Sequence, residues 1–335
     1  MIDIAGPHLT SLPSEARRPD WIQEELGKLG DHPDIELIQP GDLSSYENIP
    51  RFRVRDGHTL NDTAIDLTYY QYTFENWPLF AELRDASNLP NLAYQIGFPG
   101  TLQLPMFAFG NPNPLNGFRY RDPFKRAYQR EVDKIWEDST IAGPPGSEKN
   151  QDLIWQIEFP AEVGGMDKAP GFMQPLSNPF AARFFARGIV EQVSGLPEGA
   201  RVVLHACNGD LKHEGFSHPR SAELITILIN EIVKQWPIGR TLEGVHFPFA
   251  SGKEQPSLEP AYYRPLGKLA LHNTDTRFIA GFVHENATYD QQQMTRDMIE
   301  QALGQQVDVA PACGLGRREL VVARDLVQRC VRLVS

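Results

Sequence analysis

Only three cysteines occur in 335 residues, Cys207, Cys313 and Cys330. So small and odd a set excludes a disulfide framework and leaves metal binding, reactivity or packing as the roles open to it. No apolar run approaches the roughly 18 residues needed to cross a bilayer. The amino terminus, MIDIAGPHLTSLPSEARRPD, lacks the basic-then-apolar order of a secretion signal. A cytoplasmic protein with no membrane partner is therefore expected. Lys/Arg clusters longer than a pair are missing too, and the net charge is −11. Nucleic acids and anionic membranes require a concentrated positive field, so a small-molecule partner is the better default. No internal repeat with a period of about 20 to 50 residues is found, which removes solenoids and propellers. A G-x-G-x-x-G turn after the first strand and a Walker-type loop are also absent, which counts against a nucleotide-binding doubly wound sheet.

What is present is an alternation. Hydrophobic residues make up 41% and charged residues 22%, the balance of an ordinary folded chain. In the second half, short apolar runs at 153 to 159, 201 to 206, 242 to 249, 278 to 283 and 307 to 312 read as strands. Amphipathic, helix-length stretches at 179 to 195, 221 to 236, 290 to 303 and 317 to 333 follow four of them. The first half adds a strand at 91 to 98 and helices at 65 to 87 and 122 to 138. Strand then helix with short connections is the pattern of parallel βα units. A single α/β domain over residues 1 to 335, a (β/α)8 TIM-type barrel, is expected. Proline and glycine mark long loops near 99 to 120 and 141 to 150, which would overhang the active-site face.

The stretch LHACNGD ends an apolar run with His205 and Cys207. Residues two apart on an extended chain point to the same side, and an imidazole beside a thiolate suits Zn2+. Taken alone, a buried cysteine next to a hydrogen-bonded histidine would leave the same triplet. Cys313, in VDVAPACGLGRRE, also follows an apolar run directly and precedes a glycine-rich turn into a helix. That is where barrel loops present catalytic groups. Cys330 lies within the last amphipathic stretch, where core packing accounts for it. Arg317 and Arg318 stand at the start of that stretch, where a helix dipole disfavours cations, so one of them is a candidate for an anionic substrate group. Trp77, Phe107, Phe109, Phe118, Tyr120, Tyr262 and Tyr263 fall in or near expected loops and offer either a stacking surface or loop packing.

In order along the chain, TSLP (10 to 13), WQIEFP (155 to 160), HACNGD, FVHEN and ACGLGRR resemble the motifs of the carboxyl-terminal barrel of cobalamin-independent methionine synthases. That family lies within the uroporphyrinogen decarboxylase/methionine synthase superfamily, and a short single-barrel branch of it is the nearer likeness. The resemblance implies a Zn2+ held by His205, Cys207 and Cys313, binding a substrate thiol as a thiolate that attacks a methyl group. A free thiol has a pKa near about 8.5, and metal coordination keeps it deprotonated at neutral pH. The same resemblance implies that Glu158 holds the substrate amino group, that Ser11 helps to bind the substrate, and that His284 assists proton delivery.

The family's fourth protein ligand, a glutamate on the strand after H-x-C, has no counterpart in GVHFPFASG. His246 is the nearest substitute there, and the fourth position stays open between His246, a substrate thiol and water. The leading expectation is a zinc-dependent methyl or alkyl transferase acting on a small-molecule thiol and a methyl donor. Two alternatives accompany it. One is a metal-independent, decarboxylase-like lyase using Glu158, His246 and His284, and the other a barrel that only binds a ligand.

Overall fold

The computed structural model describes residues 1–14, 21–142, 152–271 and 275–335. Nine strands run through them: β1 (Ser11–Pro13), β2 (Ile35–Gln39), β3 (Arg51–Val54), β4 (Ala93–Pro99), β5 (Leu153–Glu158), β6 (Arg201–His205), β7 (Thr241–Pro248), β8 (Arg277–Val283) and β9 (Asp308–Pro311). Seven form one parallel sheet in the order β1-β4-β5-β6-β7-β8-β9, and β2 pairs with β3 as a separate antiparallel ribbon.

The sheet curls but does not close. Among the described residues β1 pairs only with β4 and β9 only with β8, so the expected eight-stranded barrel is corrected to an open, seven-stranded half-barrel. The reason lies between β1 and β4. β1 is only three residues long, and the strand-forming residues that follow it are spent on the β2–β3 ribbon rather than on a further parallel strand. Closure needs a strand with consistent tilt and stagger at every position of the ring.

Each parallel strand alternates between two environments. The outward set, including Trp155, Ile157, Val202, Leu204, Phe247 and Phe282, joins the main core beneath the helices. The inward set carries a small apolar layer of Ala93, Ile154 and Val203, with Ile279 packed against it. Below that layer Arg201, Glu243, Arg277 and Asp308 form an ion-paired floor. Above it come polar groups: Gln95 donates to Gln156 (2.8 Å), and Glu158 and His205 lie level with each other in the β5–β6 register.

The helices arise from local signals. In Glu223–Lys234, Leu224, Ile225, Leu228, Ile229 and Ile232 make one buried stripe. Tyr289–Leu303 starts in a capping box between Thr288 and Gln291 and stops at Gly304, whose φ of 79° suits glycine. The expected loop at 99 to 120 is instead largely helical, with helices Gln103–Phe109 and Pro114–Arg119. Pro105 and Pro114 misread as breakers because they sit in first turns, where no backbone N–H is needed. Pro114 occupies such a position, and the Asn113 side chain caps that helix by accepting from Leu115 N at 3.1 Å. The other expected loop, 141 to 150, lies outside the described residues except for its first two, which end helix Ser139–Ala142. The last helix spans Leu320–Val334, so Arg317 and Arg318 precede it rather than start it. Among the described residues no helix is long and apolar enough to cross a membrane.

Candidate metal centre

β6 delivers His205 to the inner face of the sheet at its carboxyl end, and the chain is pinned on both sides as it leaves. Phe159 N donates to the His205 carbonyl (3.2 Å) and Ala206 N to the His246 carbonyl (3.1 Å). Cys207 follows, fully buried, and Gly209 N donates to its Sγ at 3.2 Å. Gly209 has a φ of 83°, and a Cβ there would meet the Tyr46 hydroxyl at 2.4 Å. The turn that presents Cys207 therefore requires glycine.

Cys313 arrives from the other side, two residues beyond the end of β9. Its Sγ stands 3.9 Å from that of Cys207. Nδ1 or Nε2 of His205 and the two sulfurs all lie within 4.8 Å of one another. Their chemistry fits a zinc ion. His205 Nδ1 is buried and has no hydrogen-bond partner among the described residues, a costly arrangement unless its lone pair meets a ligand. Burial, helped by the adjacent His246 ring, pushes the His205 pKa well below its ordinary value, so the ring is neutral and able to coordinate. The Cys207 thiol is pushed well above its ordinary range, first by its hydrogen bond with Cys313, then by burial and the charges of Cys313 and Glu158. A bound cation reverses that preference. One histidine and two cysteines with an open fourth position is a known catalytic zinc set.

His246 sits beside this group, outside the set of three. Its ring stacks on that of His205 with centroids 4.4 Å apart and planes at 23°. Its Nε2 donates to the Pro311 carbonyl at 3.0 Å. Room for the ring comes from β8: a Cβ on Gly281 would stand 2.6 Å from His246 Nε2. Burial lowers the His246 pKa to about 4.

Glu158, at the end of β5, is buried and level with His205. Burial raises its pKa to about 7, against the lowering effect of Arg317. His284 follows β8, with Nδ1 accepting from Asn286 N (3.1 Å) and Nε2 3.8 Å from a Glu285 carboxylate oxygen. Nε2 then carries the proton and donates to the Gly252 carbonyl at 2.9 Å. Ser11 lies at the start of β1 and donates to Gln95 Oε1 at 2.7 Å. The amide chain from Gln95 to Gln156 joins it to the strand of Glu158, not to the three metal-binding candidates.

Of the two arginines expected as candidates for an anionic group, Arg318 is engaged by the chain itself. Arg318 bonds Asp210 (2.7 Å) and the Gly252 carbonyl (3.2 Å), and its Nε pairs with Glu285 (3.2 Å). One guanidinium thus ties together the chain after β6, β7, β8 and β9. A cavity of about 20 Å3, enough for one water, lies between Cys313, His284, Asp210 and Arg318. Tyr46 comes from a segment without strand or helix periodicity, accepts from Leu211 N at 3.1 Å, and lies close enough to both cysteines to be raised further by their charges after burial. Phe216 packs on Tyr46, centroid to centroid 5.0 Å, and Lys168 Nζ stands 3.8 Å over its ring centroid. Of the aromatics expected in loops, only Phe107 joins this cover, 6.4 Å from Tyr46. Phe109 and Tyr263 are buried, Trp77 packs on Tyr94, and Phe118 packs on Phe184. His218 is exposed and paired with Glu254 at 2.9 Å.

No family model matches the chain, and no curated protein does. Solved structures match, among them a B12-independent methionine synthase from Shewanella sp. W3-18-1 in complex with selenomethionine. That structure covers 90% of this chain and 75% of its own, with a TM-score of 0.51 and 10% identity. At such low identity the likeness is one of fold: helices around a curled, parallel, barrel-like sheet.

Proposed function

We propose that the chain is a zinc-dependent methyl or alkyl transferase that activates a small-molecule thiol acceptor. The observation that carries this reading is the convergence of three soft donors, His205, Cys207 and Cys313, at the carboxyl ends of parallel strands, with ligand atoms within 4.8 Å of one another. The fold likeness to a methionine synthase holding selenomethionine, an amino acid whose selenium carries a methyl group, supports the same class of chemistry.

His205, Cys207 and Cys313 would hold the zinc, leaving one exchangeable position. When bound, zinc acts as a Lewis acid that keeps a coordinated thiol deprotonated at neutral pH. The chain's own groups do the rest. His246 orients the His205 ring by stacking on it while anchored to Pro311. Glu158, with a pKa of about 7, can hold a substrate amino group or a proton at its carboxyl. His284 holds its proton at Nε2 against the Gly252 carbonyl. Ser11 would act through the Gln95–Gln156 amides that lead to the strand of Glu158. Tyr46, packed on Phe216, stands against Gly209 in the turn that carries Cys207.

Metal analysis together with a transfer assay tests the proposal. The purified chain should carry about one zinc, lost in Cys207→Ser and Cys313→Ser, and methyl transfer to a thiol such as homocysteine should disappear with it. A chain that takes up no zinc would sink the reading. Turnover that survives both cysteine substitutions would point instead to acid–base chemistry on Glu158 and His284.

A further inference from the structure

The helix Gln174–Ser194 is apolar on two opposite sides. Ala182, Ala186, Ile189 and Val193 form its buried stripe. On the other side Leu176, Phe180 and Phe184 recur every four residues, so they stack into one ridge, and all three face solvent. Phe172 and Met173 stand just before the helix and are exposed as well. Leu115 joins from helix Pro114–Arg119, whose Phe118 packs on Phe184 with ring centroids 5.6 Å apart. Among the described residues these six large apolar side chains are 46 to 84% exposed. At about 200 Å2 for each when fully exposed, they present roughly 800 Å2 of apolar surface. The largest patch on an ordinary monomer is about 300–600 Å2, and a helix that is apolar on both sides is normally covered on both.

We infer that this face seats a second copy of the chain, related by a two-fold axis that packs the Leu176–Phe180–Phe184 ridge against itself. Area and shape select that occupant. The exposed patch matches the about 800 Å2 that each partner contributes to a standard stable interface. A two-fold seam needs one self-complementary surface, and residues four apart form ridges that settle into the grooves of an identical helix. Charge agrees with it. Arg119, Arg183 and Arg187 are exposed beside the ridge, and no acidic residue occurs from Gln174 to Val190. The whole chain carries −11, so two copies repel over most of their surface and least where it is locally basic. Arginine suits such a seam, because its stem covers apolar surface while the guanidinium reaches the wet rim. The same net charge opposes an anionic bilayer, the other surface that accepts a face of phenylalanine and arginine.

Sedimentation equilibrium and light scattering of the full chain, over a range of concentrations, test the inference. The wild type should approach twice the 37.7 kDa of one chain. Phe180→Asp should raise the dimer dissociation constant by at least about 100-fold, because a two-fold seam loses a central aromatic twice. Leu176→Asp should act in the same direction. Ile238→Asp should leave the dimer intact, since Ile238 is an equally exposed apolar residue just before β7, away from this helix. All three side chains are exposed, so each variant should keep the far-ultraviolet circular dichroism of the wild type. A wild type that stays monomeric up to its solubility limit, with or without binding to phosphatidylserine vesicles, overturns the inference. So does a dimer that Phe180→Asp and Leu176→Asp leave unchanged, because its seam then lies elsewhere. Neither metal nor methyl transfer enters this reading, so its failure leaves the proposed function untouched.

Discussion

The sulfur atoms of Cys207 and Cys313 stand 3.9 Å apart although 106 positions separate them in the chain. Neither strand end alone makes a site. β6 and β9 are not neighbours in the sheet, and the curl of β7 and β8 between them brings the two thiols and His205 into one group.

That proximity has a consequence for metal removal. A buried thiol and a half-buried one this close are poised for oxidation once no cation holds them. In chelator-treated protein, diamide should take up two electrons and two protons from the pair and leave a Cys207–Cys313 disulfide. Prior zinc loading should block the reaction. Peptide mapping of alkylated protein would check this, and equal oxidation with and without zinc would count against a shared metal.

Gly281 is predicted to be intolerant of alanine. The added methyl group would stand 2.6 Å from His246 Nε2 and 3.1 Å from the Phe247 carbonyl oxygen. Overpacking of this kind costs about 1–3 kcal/mol, and displacing His246 also disturbs the stacked His205 ring. Urea denaturation should show the loss, and zinc affinity should fall with it. Unchanged values for both would show that the His246 position does not matter.

Glu162 gives a pH prediction with a definite sign. Burial raises its pKa from 4.5 to about 7, opposed by a backbone hydrogen bond and by Arg121. The folded chain thus holds this proton more tightly than the unfolded chain. Its contribution to stability is fully present below about 4.5 and is lost as pH rises toward about 7. Glu162→Gln should therefore gain on the wild type by about 3 kcal/mol between roughly pH 5 and pH 8. Denaturation curves at the two pH values decide it, and a variant that tracks the wild type at both would refute it.

Arg318→Met is predicted to cost about 3–5 kcal/mol, because it leaves the Asp210 carboxylate buried without its counter-charge. Combining it with Asp210→Asn should recover most of that loss. If the double variant is no more stable than the single one, the ion pair is not what holds the turn after Cys313.

Local chemistry made a large part of the molecule legible before any fold was known. The apolar runs at 153 to 159, 201 to 206 and 278 to 283 become β5, β6 and β8, each with one bound shifted by a single residue. Such runs carry their own signal because both faces of a strand in a parallel sheet are covered. The proline-rich stretch at 99 to 120 misled because proline breaks a helix interior yet suits its first turn.

The candidate site divides in the same way. The two-residue spacing of His205 and Cys207 points to the pair, but β6 ends at His205 and a tight turn, closed by Cys207 N donating to the His205 carbonyl at 2.9 Å, is what brings the thiol back beside the ring. Cys313 could be singled out only by its similar context. Its distance from Cys207, the stacking of His246 over Gly281, and the capture of Arg318 by Asp210, 108 positions away, depend on sheet order and register. Tyr46 had no local pattern to mark it at all. Barrel closure belongs to the same class: the βα alternation dictates a parallel, helix-covered sheet, but whether its edges meet depends on the tilt and stagger summed over every strand. Spacing along the chain controls groups within a few residues, whereas the packing of the whole sheet decides which strand ends face one another and leaves the edges β1 and β9 apart.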